Sequence, residues 1–338
     1  MPRLDLAVPG KSIAEQCELA RLAESRGFGG AWVSEVSGSD AVTQAAAIGA
    51  ALESARVGTA IVPIQTRDPL LMAMTAHSLQ SHLDGRFVLG LGTSTRVIIE
   101  DWHSRPWGSP ISGMRDYVSL VRSFLGGERV TFEGSGWKYS RASLSSSNPR
   151  QVPIYLAALN ERMLRLAGEV ADGVILNFGS VDYVRWAMDV LRSARAESGR
   201  DGPFEVALFL RASVTPDPEL VLRRYQQEFL TYLLSPVYQV MFSREGQGDL
   251  CNSTAELWAQ GERAAALESI PLDFCRDRAL IGTREEIHAR LDDYFQAGID
   301  TILLLPVPNP SDDYREACVE VIEALAPIAG GPAVPVHN

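Results

Sequence analysis

Few residues in this chain are placed to do chemistry. Glu35 closes the apolar, strand-sized run Gly30-Ala31-Trp32-Val33-Ser34, and a carboxylate at a strand end is a candidate for general acid or base work. His77 and His82 lie five apart on one expected helix, so they diverge instead of sharing a face, and no Cys/His cluster joins them; no metal site is expected. Leu89-Gly90-Leu91-Gly92-Thr93-Ser94 follows a strand, but the third glycine of a dinucleotide-binding turn is missing. Gly10-Lys11-Ser12 resembles the tail of a phosphate loop, yet Asp5 stands where its first glycine belongs. No G-x-S-x-G elbow falls at a strand-to-helix turn, which weakens a hydrolase reading. Cys17, Cys251, Cys275 and Cys318 form no C-x-x-C pair, and a chain of this size needs no disulfide staples, so they are expected to be reduced.

The elements that must position these groups belong to an ordinary globular chain of 338 residues, 46% apolar, with 31 basic against 42 acidic residues and a net charge of −11. Phosphate-backbone binding needs clustered cations, and there is no Lys/Arg-rich run, so neither nucleic acid nor an anionic membrane is an expected partner. Runs such as Ile302-Leu303-Leu304-Leu305 are strand-sized, far short of the roughly 20 residues that span a bilayer. Met1-Pro2-Arg3-Leu4-Asp5 reaches an acid before any long apolar core, which is not a secretory pattern; a cytoplasmic protein is expected.

Along the chain, strands at Leu4 to Val8, Gly30 to Ser34, Val57 to Val62 and Arg86 to Leu91 alternate with helices. Ser12 and Asp40 are the capping candidates for the first two helices, and Pro69 to Ser81 and Met114 to Leu125 are the next two. Strands at Ile154 to Ala157, Gly173 to Leu176, Glu205 to Ala212 and Thr301 to Leu305 follow, with helices near 160–171, 181–199, 219–232, 284–297 and 312–326. Strict alternation argues for a parallel sheet, and eight units favour a closed α/β (β/α)8 TIM barrel. Two segments break the cycle, about 95–150 after strand four, with a hairpin near Val130 to Tyr139, and about 216–280 after strand seven. Both follow carboxyl ends of strands, where barrel active sites assemble, so they read as site-covering insertions in a single domain over 1–330, with 331–338 as a tail. Trp102, Trp107, Trp137, Tyr225, Phe229, Tyr232, Tyr238 and Phe242 concentrate in them, either to roof an apolar substrate pocket or to anchor helices on the barrel.

Five blocks, in order, carry a resemblance. They are Leu22 to Val33, Gly58 to Pro63 leading to Arg67-Asp68-Pro69, and Leu83 to Thr93 with its Asp84-Gly85-Arg86-Phe87 core. Pro153 to Ala158 with Ala167 to Gly173, and Ile281 to Ile287 with Ala297 to Asp300, complete the set. Together they resemble the luciferase-like flavin and deazaflavin oxidoreductases. The stretch Ser94 to Ser109 looks most like the branch using coenzyme F420, a 5-deazaflavin hydride carrier.

The resemblance implies hydride transfer between F420 and an organic small molecule, by alcohol oxidation or by C=C or C=N reduction. An FMN-dependent monooxygenase is the alternative. In this family a non-prolyl cis peptide at the end of strand three presses on the flavin ring; by position it would join Thr59 and Ala60, making Thr59, Ala60 and Val62 cofactor-binding. Gly92 and Thr93 would approach the ring edge or phosphate, and Ala157, Ala158, Leu159 and Asn160 would open a helix whose free N–H groups suit the phosphate. Arg67, Arg96, Arg162 and Arg165 could meet an acidic polyglutamate tail. Glu35 matches the position of an acidic or polar residue beside the ring, with an ion pair to a neighbouring loop as the other reading. Val36 replaces the catalytic histidine of several relatives, and Thr95 the acid of sugar-phosphate-oxidising ones, so sugar-phosphate oxidation is disfavoured and His103 becomes the substitute proton carrier. A homodimer through the helices after strands two and three is implied.

Overall fold

The structure, a computed structural model, describes residues 2–145, 151–309 and 313–329, and the side chains of 327–329 are not described. Among these residues eight parallel strands close into a ring: β1 (Arg3–Ala7), β2 (Gly30–Val33), β3 (Arg56–Thr59), β4 (Phe87–Gly92), β5 (Ile154–Ala157), β6 (Gly173–Asn177), β7 (Glu205–Val214) and β8 (Thr301–Pro306), which returns to β1. This is the (β/α)8 barrel that the strand–helix alternation implies. Its six first helices are α1 (Ile13–Ser25), α2 (Ala41–Ala51), α3 (Pro69–His82), α4 (Pro110–Leu125), α5 (Glu161–Val170) and α6 (Val181–Ser198). Ser12 and Asp40 cap α1 and α2 as their residue types suggest, each side-chain oxygen accepting a first-turn N–H.

Alternation along the strands separates two cores. Outward side chains pack on the helices, while Trp32, Val88, Tyr155, Ile175, Ala207 and Leu303 fill the barrel. Beneath them, at the amino ends of the strands, is a charged plug. Arg56 gives two hydrogen bonds to Glu205, at 2.8 and 2.6 Å, and one to Asp5 at 2.9 Å. Arg3, Tyr155 and Thr301 also donate to Glu205, and the Trp32 indole donates to Asp5 at 2.7 Å. Burial alone would raise the Glu205 carboxyl, but Arg56 and Arg3 override it and hold it well below the ordinary range.

The third strand departs from its expected course. The run Val57 to Val62 reads through as β-structure, yet β3 stops at Thr59, and the cis peptide joins Ala60 and Ile61, not Thr59 and Ala60. Pairing with β4 resumes at Val62 and Pro63. Gly90 is required opposite this break, because a Cβ there would lie 1.7 Å from the Thr59 carbonyl oxygen.

The insertion after β4 opens with a π-helical turn, Val97–Trp102, and after α4 forms the expected hairpin from Val130–Glu133 and Lys138–Ala142. After β7 come α7 (Pro218–Leu233), α8 (Pro236–Arg244), α9 (Gly248–Ala259), α10 (Arg263–Glu268) and α11 (Leu272–Arg276). A short strand, Ala279–Gly282, then pairs with Arg211 to Val214 of β7, beyond the point where β6 ends. Helices α12 (Arg284–Ala297) and α13 (Tyr314–Ala329) flank β8. The expected tail, 331–338, lies outside the described residues.

Candidate active site

The carboxyl ends of the strands form a mouth with an apolar floor. Ala60, Ile61 and Phe209 pack from above on the side chains filling the barrel, and half-buried Ala157 joins them from β5. Gly92 lies beside Ile61, whose side chain occupies the space a Cβ would need. A cleft of about 590 Å³ opens over the other side of the mouth, lined by Trp32, Ser34, Phe209 and Leu305. An apolar floor with polar groups at its rim is the usual form of a small-molecule site.

Two of the expected cofactor contacts are corrected. Thr59 is buried, and its hydroxyl is used between strands, donating to the Gly90 carbonyl at 2.8 Å and accepting the Gly90 N–H at 2.9 Å. Val62 is fully buried in the outer core. The break after Thr59 turns both away from the mouth and leaves Ala60 and Ile61 facing it.

Helix α5 opens at the mouth with an uncapped end. Asn160 stands at its N-cap, but its amide donates to the Val237 carbonyl at 3.0 Å and makes no cap. The Asn160 carbonyl takes the N–H groups of Met163 and Leu164, and no acceptor for the Glu161 and Arg162 N–H groups is found among the described residues. Their partial positive charge is available to a phosphate. Leu159 is fixed by Tyr183, whose hydroxyl donates to its carbonyl at 2.8 Å; Ala158 is buried behind it. Across the mouth, half-buried Thr93 offers its hydroxyl, while its carbonyl accepts from the Trp107 indole at 3.0 Å.

Glu35 is engaged in a way the acid–base reading did not foresee. Its two oxygens accept from Arg67 at 2.7 and 2.9 Å, and one also takes the Ala41 N–H at 3.1 Å. Its own N–H donates to the Ile61 carbonyl. The pair therefore ties the loop after β2 to the loop after β3, on either side of Ala60 and Ile61. With every lone-pair direction toward Arg67 and α2 in use, Glu35 as placed is a clamp for the floor and not a free proton carrier. His103 sits exposed just past the π-helical turn, beside exposed Trp102. The other rim arginines are mostly paired: Arg67 with Glu35 and Asp40, Arg96 with Glu100, Arg165 with Glu197. Exposed Arg162 has no ion-pair partner among the described residues.

The β6–β7 wall of the mouth holds polar residues that the sequence reading passed over. Arg211 is buried, its guanidinium 4.0 Å from the centre of the Phe178 ring. It donates to Asn177 Oδ1 at 2.8 Å and pairs with Glu228, and Asn177 Nδ2 donates to the Tyr238 hydroxyl at 2.9 Å. Counting by twos from the barrel-filling Ile175 and Ala207 would have aimed Asn177 and Arg211 inward, and an arginine in the run Ala207-Leu208-Phe209-Leu210-Arg211 is the signal that was available.

Among the described residues no group of three or more His, Cys, Asp or Glu is placed to hold a metal ion, and no helix is long and apolar enough to cross a membrane.

A (β/α)8 barrel with an apolar floor and an open helix end at its carboxyl-terminal mouth has the form of a barrel enzyme. The family model of the luciferase-like monooxygenases matches residues 2–301, and the chain belongs to that family; it is an oxidoreductase. It is 25% identical over 319 residues to the 5,10-methylenetetrahydromethanopterin reductase of Methanolobus tindarius, covering 93% of this chain and 96% of that protein. Among solved structures, the coenzyme F420-dependent tetrahydromethanopterin reductase of Methanopyrus kandleri superposes with a TM-score of 0.78 at 20% identity, over 96% of this chain and 97% of that one. An F420-dependent secondary alcohol dehydrogenase, solved with an F420–acetone adduct, superposes with a TM-score of 0.77 at 18% identity, over 98% of this chain and all 100% of the other.

Proposed function

We propose that this protein transfers a hydride between coenzyme F420 and an organic substrate. The observation that carries the reading is the open end of α5, where Asn160 turns its amide away and leaves the Glu161 and Arg162 N–H groups for an anion. In this reading Ala60, Ile61 and Ala157 take one face of the ring, Gly92 makes room for the Ile61 side chain in that floor, and Thr93 and the segment Ala158 to Asn160 hold the phosphate end. Arg162 is left for an acidic tail. The cofactor, when bound, supplies the hydride-bearing carbon. The protein's own residues orient the ring on the floor, exclude water beneath the insertions and manage the proton. The choice of F420 over FMN is supported by likeness over most of the chain to proteins described as F420-dependent. The family's description as monooxygenases favours FMN and oxygen as the second reading. A homodimer through α2 and α3 goes with the proposal, supported by the exposed Leu71 and Met74 on α3.

Fluorescence-quenching titrations with oxidised F420 and, separately, FMN test the reading. Saturable F420 binding with none for FMN is expected. Preference for FMN would overturn it and point to oxygen consumption with reduced flavin.

A further inference from the structure

The polar wall between β6 and β7 has a direction. An arginine side chain carries only donors, so the 2.8 Å contact from Arg211 Nη1 must be received by the oxygen of the Asn177 amide. That fixes the other end of the amide as the donor, and Asn177 Nδ2 gives its hydrogen to the Tyr238 hydroxyl oxygen at 2.9 Å. The Tyr238 oxygen is thereby an acceptor, and its own proton must go elsewhere. No acceptor for that proton is found among the described residues. A buried cation thus polarises an amide, which polarises a phenol, in a chain whose last donor is unused.

Asn177, the last residue of β6, brings the chain to the mouth. Asn177 is in register with Phe209, which lines the cleft beside the floor. Asn177 and Tyr238 are both half-buried. The Tyr238 ring is held by Tyr232 edge-on at 4.6 Å and by Phe178 at 5.9 Å, and Arg211 Nη2 is pinned between Glu228 and the Tyr232 hydroxyl. Burial, then Tyr232, push the Tyr238 phenol up, and the downward pull of Asn177 and Arg211 does not offset them. Tyr238 therefore keeps its proton at neutral pH, as an acid must.

We propose that Tyr238 is the proton donor to the reacting oxygen or nitrogen of a carbonyl- or imine-bearing substrate, with Asn177 and Arg211 as positioning residues; the assignment rests on the hydride-transfer reading above. In the reducing direction the bound cofactor would supply a hydride to the substrate carbon, whose π-bond electrons move onto the oxygen or nitrogen. Tyr238 gives its hydroxyl proton to that heteroatom. One C–H and one O–H or N–H bond would form, the two electrons coming with the hydride; the proton that the reduced cofactor would lose to solvent balances the one that water returns to the phenolate. Glu35 and His103 have no part in this step.

Two near-isosteric variants test it. Tyr238→Phe removes the donor, and Asn177→Asp keeps the contact with Arg211 but offers Tyr238 an acceptor, so that the phenol proton turns inward. Binding of oxidised F420 is followed by fluorescence quenching, and binding of cyclohexanone, as a carbonyl probe, to the F420-loaded protein by calorimetry and by the infrared shift of its carbonyl stretch. All three proteins are expected to bind F420 equally, while both variants bind cyclohexanone about tenfold more weakly and lose the downshift of the stretch. Where the ketone is turned over, kcat falls on the order of 100-fold with the KM for reduced F420 unchanged. Failure of the wild type to bind F420 overturns the functional reading itself. F420 binding with equal cyclohexanone binding in all three proteins, or with none in the wild type, overturns the assignment of Tyr238.

Discussion

At the amino end of the barrel, Arg3, Asp5, Arg56 and Glu205 bind one another, and the tyrosine, threonine and indole around them all donate inward to the same two carboxylates. At the carboxyl end the arrangement is open: Arg211 is as deeply buried as that plug, but its hydrogen-bond chain runs outward through Asn177 to a phenol with an unspent proton. Asn160 likewise leaves a helix end unfilled. The same barrel therefore holds buried charge in two ways. The closed network below fixes the strands in place, and the unfinished one above leaves donors for the proposed ligand to complete. This matches the division of a barrel into a stability face and a catalytic face.

Breaking the lower network should cost the most stability and the least function. Arg56→Met leaves Asp5 and Glu205 with Arg3 as their one remaining shared cation, and a loss of about 3 kcal/mol in urea denaturation is expected. F420 affinity per folded molecule should not change. Acid should act on the same place. Because the folded Glu205 carboxyl lies below its unfolded value, near 4.3 in model peptides, its contribution is complete above that value and is lost as pH falls toward the folded one. Wild-type stability should therefore drop more steeply below about pH 4.5 than that of Glu205→Gln, measured by urea titration at each pH.

The rim pair lies between the extremes. Arg67→Met removes the partner of a mostly buried Glu35 and should cost about 1–2 kcal/mol of stability. It should also weaken F420 binding severalfold, because Ile61 loses a loop that anchors it. The smallest effect is expected from Arg162→Ala: no change in melting temperature and a loss of F420 affinity of about 3-fold at low salt, vanishing at high salt. An equal loss at all salt concentrations would show that Arg162 meets no acidic tail.

The comparison also marks what the sequence discloses. The strand–helix cycle, the first two caps and the hairpin in the first insertion are legible because periodicity and capping chemistry act over a few residues. The break in the third strand is not legible in residue types, since Thr59-Ala60-Ile61-Val62 has nothing but β-compatible residues; the family resemblance alone places a cis peptide there, one bond earlier than the structure has it, and Gly90 of β4 makes room for the Thr59 carbonyl. Thr59 and Val62 were consequently assigned to the mouth, where neither lies. Glu35 was placed at the right strand end, but its partner Arg67 is 32 residues on, and only the fold shows that its oxygens are in use. The plug was invisible for the same reason, with Arg56 drawing on Asp5 and Glu205 from 51 and 149 residues away. Asn177 and Arg211 could have been aimed inward by counting alone; that Tyr238 completes them depends on how the second insertion folds back.

The central claim is that the cofactor binds the open end of the barrel, and hydrogen-exchange mass spectrometry with and without F420 tests it most directly. Protection confined to peptides spanning residues 58–64, 90–97 and 157–164, with the amino-terminal ends of the strands unchanged, is the result expected. Protection absent from these segments, or centred instead on the separate cleft of about 620 Å³ between α6 and the second insertion, lined by Ser180, Arg244 and Arg278, would contradict it.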